Sequence, residues 1–344
     1  MREASTEPTT VPLPRVLAAR GRHALLLLTH PIARVTARRL TFAVPLLFVV
    51  SALTFMLVSL VPGDPAVQLR GPNQPPQVYR AIDEQLGLNH PLYDQYWRWL
   101  DHALHGDLGT SFFTKQPVTE VIRQRLSVTL SLVLLSFLLS TIVGVWFGVF
   151  AAVRGGAPAR IVDALSLVGW ALPSFWVGAV LIAVFAVRLH WLPAIGYVSF
   201  RVSVLEWARS LVLPVVALAV GSVAVLAKQT RQAMLDTLSS EYIRMAWANG
   251  LSRSRIYFQL AVKPAGIQLV TLVGLQAIGM LLGTAFIETL FALPGIGSTL
   301  VSATTTRDLP VVEALTVFFA LMIVVINFVT DLLSTLFDPR VRVA

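Results

Sequence analysis

Six long apolar stretches alternate along the chain with polar or basic segments. Each is long enough, at about 1.5 Å per residue, to cross the ~30 Å hydrocarbon core of a bilayer as a helix. Lipid offers backbone groups no hydrogen-bond partners, so these stretches must be helical. We predict an all-α polytopic membrane protein with six transmembrane helices, at residues 40–61, 126–153, 161–187, 211–227, 267–291 and 311–337.

The segment between the first and second spans, residues 62–125, has its own helical pattern. One run begins at Pro76 and ends before Gly87, and a second, rich in aromatic residues, follows Pro91. Proline at a first turn and glycine after a last turn are typical helix boundaries. A third run, from Val118, has helical apolar spacing and is predicted to lie along the membrane interface. We therefore predict a helical segment outside the membrane.

Basic residues are concentrated on one side of the predicted spans, in a basic N-terminal extension (1–39), an inner loop (228–265) and a C-terminal tail (338–344). The short loops on the other side contain four basic residues, Arg188, Arg201, Arg209 and Arg307. Cytoplasmic loops of membrane proteins carry an excess of lysine and arginine. Both termini are therefore predicted to be cytoplasmic, and residues 62–125 extracytoplasmic.

The composition supports the membrane class and excludes several kinds of site. Hydrophobic residues make up 56% of the chain and charged residues 13%, whereas charged residues form about 25% of a typical soluble domain. The net charge of +9 fits basic loops held against anionic membrane lipid better than a nucleic-acid partner. There is no cysteine, which excludes disulfides, thiolate metal sites and a cysteine nucleophile.

The chain also lacks a phosphate-binding loop, which needs Gly-Lys followed by Ser or Thr. Its three lysines, Lys115, Lys228 and Lys263, follow threonine, alanine and valine. If transport is driven by ATP, hydrolysis must take place on another subunit.

The inner loop between the fourth and fifth spans carries the most informative motif. Residues 241–252 read E-Y-I-R-M-A-W-A-N-G-L-S, with an amphipathic helical pattern that breaks at Gly250. Glycine permits the left-handed backbone that often ends a helix. A second helical run follows through Ile256 and Leu260. The pattern predicts helix, glycine turn and helix on the cytoplasmic face.

This motif resembles the coupling loop of importer permeases of the ATP-binding-cassette superfamily, in the form typical of the dipeptide and oligopeptide branch. Further ordered matches are L-V-P-G-D-P-A (60–66), G-D-L-G-T-S-F (106–112), A-L-P-S-F-W-V-G (171–178), E-T-L-F-A-L-P-G-I-G (288–297), R-D-L-P (307–310) and D-P-R-V-R (338–342). The resemblance covers residues 35–344. The branch usually has Asn-Ala-Leu-Leu-Pro at the end of the loop, whereas here the proline is displaced to Pro264, so the helix break entering the fifth span is expected to shift.

The resemblance implies a type I importer permease fold in the inner membrane of a prokaryote, forming half of a pathway for dipeptides or oligopeptides. It implies as partners a second homologous permease, two cytoplasmic ATPases that hold ATP and magnesium, and an extracytoplasmic substrate-binding protein. This chain is expected to be non-catalytic and to hold no cofactor or metal. The residues assigned to ATPase contact are Glu241, Arg244, Ala246, Gly250, Leu251 and Ser252; those assigned to gating or the pathway are Asp64, Pro173, Glu288 and Asp331.

Simpler interpretations stay open for several of these residues. Gly250 could be only a helix cap, Asp64 a turn former and Pro173 a tolerated kink. Glu288 and Asp331 lie near the ends of their spans and could reach headgroup water. At the level of function, the alternatives are an ion- or proton-coupled secondary carrier, and a permease of the same type for a non-peptide solute such as a nickel complex.

Overall fold

The computed structural model describes residues 31–60, 65–71 and 73–337, with only the backbone for residues 31–38, 40, 336 and 337. Most of the predicted N-terminal extension, the predicted tail at 338–344 and Asp64 lie outside the described residues.

Helices account for most of the described chain. In order they are α1 (Pro31–Leu60), α2 (Pro65–Arg70), α3 (Pro76–Leu86), α4 (Leu92–Leu104), α5 (Val118–Arg154), α6 (Gly156–Ala171), α7 (Ser174–Leu181), α8 (Val204–Leu238), α9 (Glu241–Ala248), α10 (Val262–Leu290), α11 (Ile296–Thr306) and α12 (Leu309–Phe337). A π-helical turn, Ile182–Arg188, extends α7. A short turn, Arg253–Arg255, and a π-helical turn, Ile256–Ala261, lead into α10.

Five of these helical stretches are long and apolar enough to cross a membrane, namely those containing α1, α5, α8, α10 and α12. The pair formed by α6 and the α7 stretch to Arg188 passes the same test together, but it is bent by 99°. The predicted all-α class is confirmed, and the six predicted spans are found when this bent pair is counted as one span.

The bend in the third span lies at Leu172 and Pro173. Leu172 is extended, with φ −85° and ψ 122°, as expected for a residue before proline. Pro173 has no amide hydrogen to continue the α6 hydrogen-bond ladder. Instead its carbonyl accepts from the amides of Trp176 and Val177 in the first turn of α7. The kink expected at Pro173 is therefore a complete break between two helices.

Small residues on α5 permit its close packing along α8. A Cβ atom at Gly144 would lie 2.7 Å from the Leu226 Cβ, and one at Gly148 would lie 2.5 Å from the Thr230 Cβ. A side chain cannot be accommodated at such separations, so the backbone of α5 at these glycines packs directly against side chains of α8. Interfaces of this kind are common where helices pack without a hydrophobic driving force between them.

The predicted interfacial run from Val118 is instead the first two turns of α5. Val118 and Ile122 are buried and pack with Val311, Val312 and other residues of α12. The apolar face of this run is covered by the protein and no helix-breaking residue separates it from the span, so the run and the span form one helix. Its position along the membrane interface stays a prediction.

The inner loop predicted at 228–265 is also more helical than expected. Helix α8 continues to Leu238, and helical structure resumes at Arg253 and runs without a gap into α10. Pro264 lies in the first turn of α10, where it leaves the carbonyl of Leu260 without its usual amide donor. The hydroxyl of Tyr242 donates to that carbonyl at 3.4 Å. The displaced proline is therefore accommodated within a continuous helix.

Candidate functional site

The short helix α9 is seated on the permease by a small apolar cluster. Ile243 and Ile256 are fully buried, and Ala246 is 8% exposed. Leu238 and Leu260 pack against the same cluster from the neighbouring helices. The inner face of α9 thus contacts both the end of α8 and the start of the α10 stretch, so this short helix packs against two spans.

Gly250 ends α9 in a left-handed conformation, with φ +76°. The Leu251 amide donates to the Ala246 carbonyl at 3.2 Å, and the Gly250 amide donates to the Trp247 carbonyl at 3.0 Å. These two bonds form a Schellman motif, in which a left-handed residue satisfies the last carbonyls of a helix. A Cβ at Gly250 would meet no described atom within 4 Å. The requirement for glycine within this chain is therefore conformational rather than steric.

The outer face of α9 is open to solvent. Glu241, Arg244 and, beyond the turn, Ser252 are exposed, while Leu251 is half-buried. The Arg244 guanidinium donates to the Ser239 carbonyl at 3.2 Å, which orders the start of the helix. Among the residues predicted to contact an ATPase, these exposed ones are available to a partner.

The side chain of Ala246, in contrast, faces the interior of the chain, so the structure gives it a seating position. The sequence interpretation missed two exposed apolar residues on α9, Met245 (66% exposed) and Trp247 (39% exposed). Helical spacing places Met245 away from Ile243 and Ala246, and that spacing was the available signal. Trp247, four residues after Ile243, lies at the edge of the inner face, with its ring centroid 6.1 Å from that of Tyr257.

Glu288 is buried near the C-terminal end of α10 and joins three segments. It accepts a hydrogen bond from the Thr129 hydroxyl at 2.7 Å and one from the Ser298 amide at 2.8 Å. The Thr129 hydroxyl oxygen in turn accepts from the Ile296 amide at 2.9 Å. The carboxyl group thus lies against the N-terminal amides of α11, where a helix favours negative charge. In this structure Glu288 holds α11 in place rather than reaching headgroup water.

Two glycines of the E-T-L-F-A-L-P-G-I-G motif allow this close approach. A Cβ at Gly295 would overlap the Glu288 carboxyl group, and one at Gly297 would lie 2.7 Å from the Ala285 Cα. The motif therefore encodes a tight return of the chain onto α10.

Two other motifs meet outside the spans. Asp308, between α11 and α12, accepts hydrogen bonds from the Ser111 hydroxyl and, at 2.9 Å, from the Phe112 amide. A Cβ at Gly109 would lie 3.2 Å from the Pro310 Cβ. The G-D-L-G-T-S-F and R-D-L-P motifs, almost 200 residues apart, thus form one contact that ties the segment between the first two spans to α12.

Comparisons with known proteins agree with this arrangement of motifs. The family described as "Binding-protein-dependent transport system inner membrane component" matches residues 144–343, and the family of the corresponding N-terminal component matches residues 32–133. This chain belongs to that family of transport permeases.

Relatives of this permease cover nearly its whole length. A probable peptide ABC transporter permease of Sinorhizobium fredii is 40% identical over 306 residues, which are 89% of this chain and 98% of that protein. A putative peptide transport system permease of Brucella abortus has the same identity and coverage. A glutathione transport system permease of Escherichia coli is 37% identical over 306 residues, covering 89% of this chain and 97% of that protein.

A solved structure shares the fold of this permease. One chain of the MetNI methionine ABC transporter superposes with a TM-score of 0.54 at 19% identity, covering 64% of this chain and 97% of that one. The likeness establishes the type I importer permease fold predicted from the sequence.

The remaining residues assigned to gating lie apart from one another in the permease. Pro173 begins α7, whose Gly178 packs against α10: a Cβ there would lie 2.7 Å from the Leu290 Cδ2. Asp331, near the end of α12, forms an ion pair with Arg39 of α1, and both side chains are partly exposed. Pro173, Glu288 and Asp331 thus occupy a helix break, a buried hydrogen-bond hub and an interhelical ion pair, and their roles in gating stay predictions.

Proposed function

We propose that this permease forms one half of the membrane pathway of an ATP-driven peptide importer. The observation that carries the proposal is the geometry of α9, a helix seated on two spans by its inner face and ending in a Schellman turn at Gly250. Its outer face, with Met245, is open. The names of the peptide and glutathione permeases support peptides as the cargo class.

The proposed complex contains a second homologous permease, two cytoplasmic ATPases and an extracytoplasmic substrate-binding protein. ATP and magnesium are held by the ATPases, because this chain has no Gly-Lys phosphate loop. The exposed residues of α9 dock in the ATPase, and both termini of the permease lie in the cytoplasm. The concentration of basic residues in the inner loops supports this orientation.

In the proposed cycle, the loaded binding protein docks on the outer segments while ATP draws the ATPases together. Movement of α9 passes to α8 and α10 through Ile243 and Ile256, and the pathway opens outward. Hydrolysis returns it to the inward-open state. Reversing a two-state equilibrium from 1:99 to 99:1 requires about 5.5 kcal/mol of differential binding. The firm seating of α9 suits it to carry an effect of that size.

Reconstitution tests the proposal. The permease would be placed in lipid vesicles with its partner permease, ATPases and binding protein, and uptake of a labelled dipeptide and a labelled oligopeptide would be measured with and without ATP. ATP-dependent uptake that requires the binding protein is the expected result. Transport of a nickel complex but of neither peptide would refute the cargo class, and uptake driven by an ion gradient without ATP would refute the mechanism.

A further inference from the structure

Helix α4, between the first and second spans, has an apolar face wider than the surface that the protein covers. At about 100° per residue, its apolar and aromatic side chains fall on one continuous arc, and its charged and other polar side chains fall on the opposite arc. One part of the apolar arc is packed, since Tyr96 is buried. The other part is a stripe of Tyr93, Trp97 and Leu104, which are 70%, 56% and 78% exposed. We name these three residues the α4 stripe.

Helix α4 contacts α1 within the span of α1 rather than beyond its end. The Tyr96 ring lies edge-on to two rings of α1, with centroid distances of 6.1 Å to Phe48 and 5.7 Å to Phe55. The Tyr96 hydroxyl is 2.8 Å from the Ser51 hydroxyl, in a buried hydrogen bond. The apolar span of α1 is Thr41–Leu60, so Ser51 lies about 14 Å before the end of the span along the helix axis. A helix standing clear of the bilayer would not reach α1 at this level.

The α4 stripe continues the lipid-facing surface of α1. The Trp97 ring centroid is 6.1 Å from that of Phe48, and Phe48 is itself an exposed residue of the span. Its neighbours Val49 and Leu53 are exposed as well. Tyrosine and tryptophan are enriched where a membrane meets water. One apolar surface thus runs from the span onto α4, and it becomes rich in these two residue types on α4.

The polar arc of α4 limits how deeply the helix is immersed. Asp101 and His105 have side chains that are 74% and 77% exposed. Arg98 donates to Asp94 at 2.6 Å, and both of these side chains are partly exposed. Charged groups without water or headgroups around them are costly in hydrocarbon. The two arcs together therefore place α4 along the membrane surface, with its apolar face toward the lipid.

We propose that the α4 stripe lies in the lipid, at the boundary between the headgroups and the acyl chains, so that α4 is a membrane-surface helix attached to α1. The leaflet is the one in which α1 ends at Leu60. Helices of this kind bury their apolar face about 5–10 Å into that boundary. Tyr93 and Trp97 have amphipathic rings suited to the headgroup level, and Leu104 contacts acyl chains. This membrane contact depends on neither the orientation nor the cargo of the proposed transporter.

Site-directed spin labelling of the full-length permease in lipid nanodiscs tests the contact. The chain contains no cysteine, so each introduced cysteine gives a single labelled position. Labels at Tyr93→Cys, Trp97→Cys and Leu104→Cys would be compared with two controls. Leu53→Cys lies on the exposed face of α1, and Asp101→Cys lies on the polar arc of α4. Power saturation would measure the collision rate of each label with oxygen, which concentrates in lipid, and with a nickel chelate, which stays in water.

The ratio of oxygen to nickel collisions should be severalfold higher at the three stripe positions than at Asp101→Cys, and should approach the ratio at Leu53→Cys. A second variant separates lipid from protein contact. Tyr96→Phe removes the hydroxyl that meets Ser51 and keeps the ring. Combined with Trp97→Cys, it should leave the collision ratio close to that of Trp97→Cys alone, because lipid still holds the stripe.

Four results would overturn the proposal. Ratios at the stripe equal to that at Asp101→Cys would place the stripe in water. Immobilised labels that collide with neither reagent would show that protein, such as a second copy of the chain, covers the stripe. A high ratio at Trp97→Cys alone, with Tyr93→Cys and Leu104→Cys in water, would reduce the contact to one side chain beside α1. Transfer of the Trp97→Cys label into water in the Tyr96→Phe background would show that the hydrogen bond, and not lipid, holds α4.

Discussion

Replacement of Gly250 separates two reasons why the turn after α9 could require glycine. Its φ of +76° is unfavourable for side chains, and a Cβ would meet no described atom within 4 Å. Within this chain, the expected cost is therefore only the left-handed strain of about 1–2 kcal/mol, greater for a β-branched residue and smaller for asparagine. A total stability of about 5–15 kcal/mol tolerates this cost. Because about 1.4 kcal/mol is a factor of ten, the ratio of native to non-native turn should fall about tenfold or more in Gly250→Val.

The experiment compares Gly250→Val, Gly250→Asn and Gly266→Val. Gly266 lies in α10 with no positive φ and no described atom within 4 Å of its would-be Cβ, so it receives the same side chain without the strain. Each variant would be reconstituted with its ATPases, and ATPase attachment and ATP-driven uptake would be measured. We expect Gly266→Val and Gly250→Asn to stay close to the parent, and Gly250→Val to lose about tenfold in attachment or uptake.

Each outcome of the series has a distinct meaning. If Gly250→Asn is impaired as severely as Gly250→Val, then the size of the side chain against a partner, and not the backbone conformation, is the cause, and the strain argument fails. If Gly250→Val assembles and transports like the parent, the assignment of α9 as the coupling helix is wrong.

Three further predictions follow from close contacts elsewhere. Gly148→Ala should destabilise the protein by about 1–3 kcal/mol through overpacking, since its Cβ would lie 2.5 Å from the Thr230 Cβ on the facing helix. The control, Gly279→Ala, has open space around its Cβ and should be neutral or slightly stabilising. Thermal unfolding in detergent would measure the stability of both variants. Glu288→Ala should cost about 1–3 kcal/mol for each buried donor left unpaired, and Glu288→Gln less, as judged by thermal unfolding and protease resistance of residues 292–298. Asp308→Ala should speed hydrogen exchange in the G-D-L-G-T-S-F segment, while Asp101→Ala, at an exposed carboxylate, should not; equal exchange in the two variants would refute the contact.

The spans could be predicted from the sequence because a long apolar stretch in lipid satisfies its backbone hydrogen bonds by forming a helix. Their ends could not, since a helix continues into water wherever no residue breaks it. Helix α5 begins eight residues before the predicted span, and α8 ends eleven residues beyond its predicted limit. In both places the polar composition indicated a loop or an interfacial run, yet the flanking turns were covered by neighbouring helices. The break at Pro173 was recognised as a kink, but its angle depends on packing that is not local.

The candidate site was likewise predictable only in part, where the cause of a feature is local in the sequence. The turn at Gly250 was predictable because its cause is local: one glycine at the end of an amphipathic pattern. The hub at Glu288 was not, because one of its partners, Thr129, is 159 residues away and becomes a partner only when α5 packs beside α10. The contact between Ser111 and Asp308 escaped for the same reason, although both lie in motifs that were identified. Ala246 was assigned to a partner because a motif marks a residue without telling which way its side chain points.

The π-helical turn before α10 links the length of this helix to its rotation about its own axis. A π turn contains more residues than an α turn, so Ile256–Ala261 acts as an insertion that the helix has absorbed without a break. Each residue of an α-helix advances the chain by about 1.5 Å and rotates it by about 100°. Converting the turn to α geometry would therefore change the length and the angular phase of the helix together. Such a conversion would move this span as a screw, in which translation and rotation are inseparable.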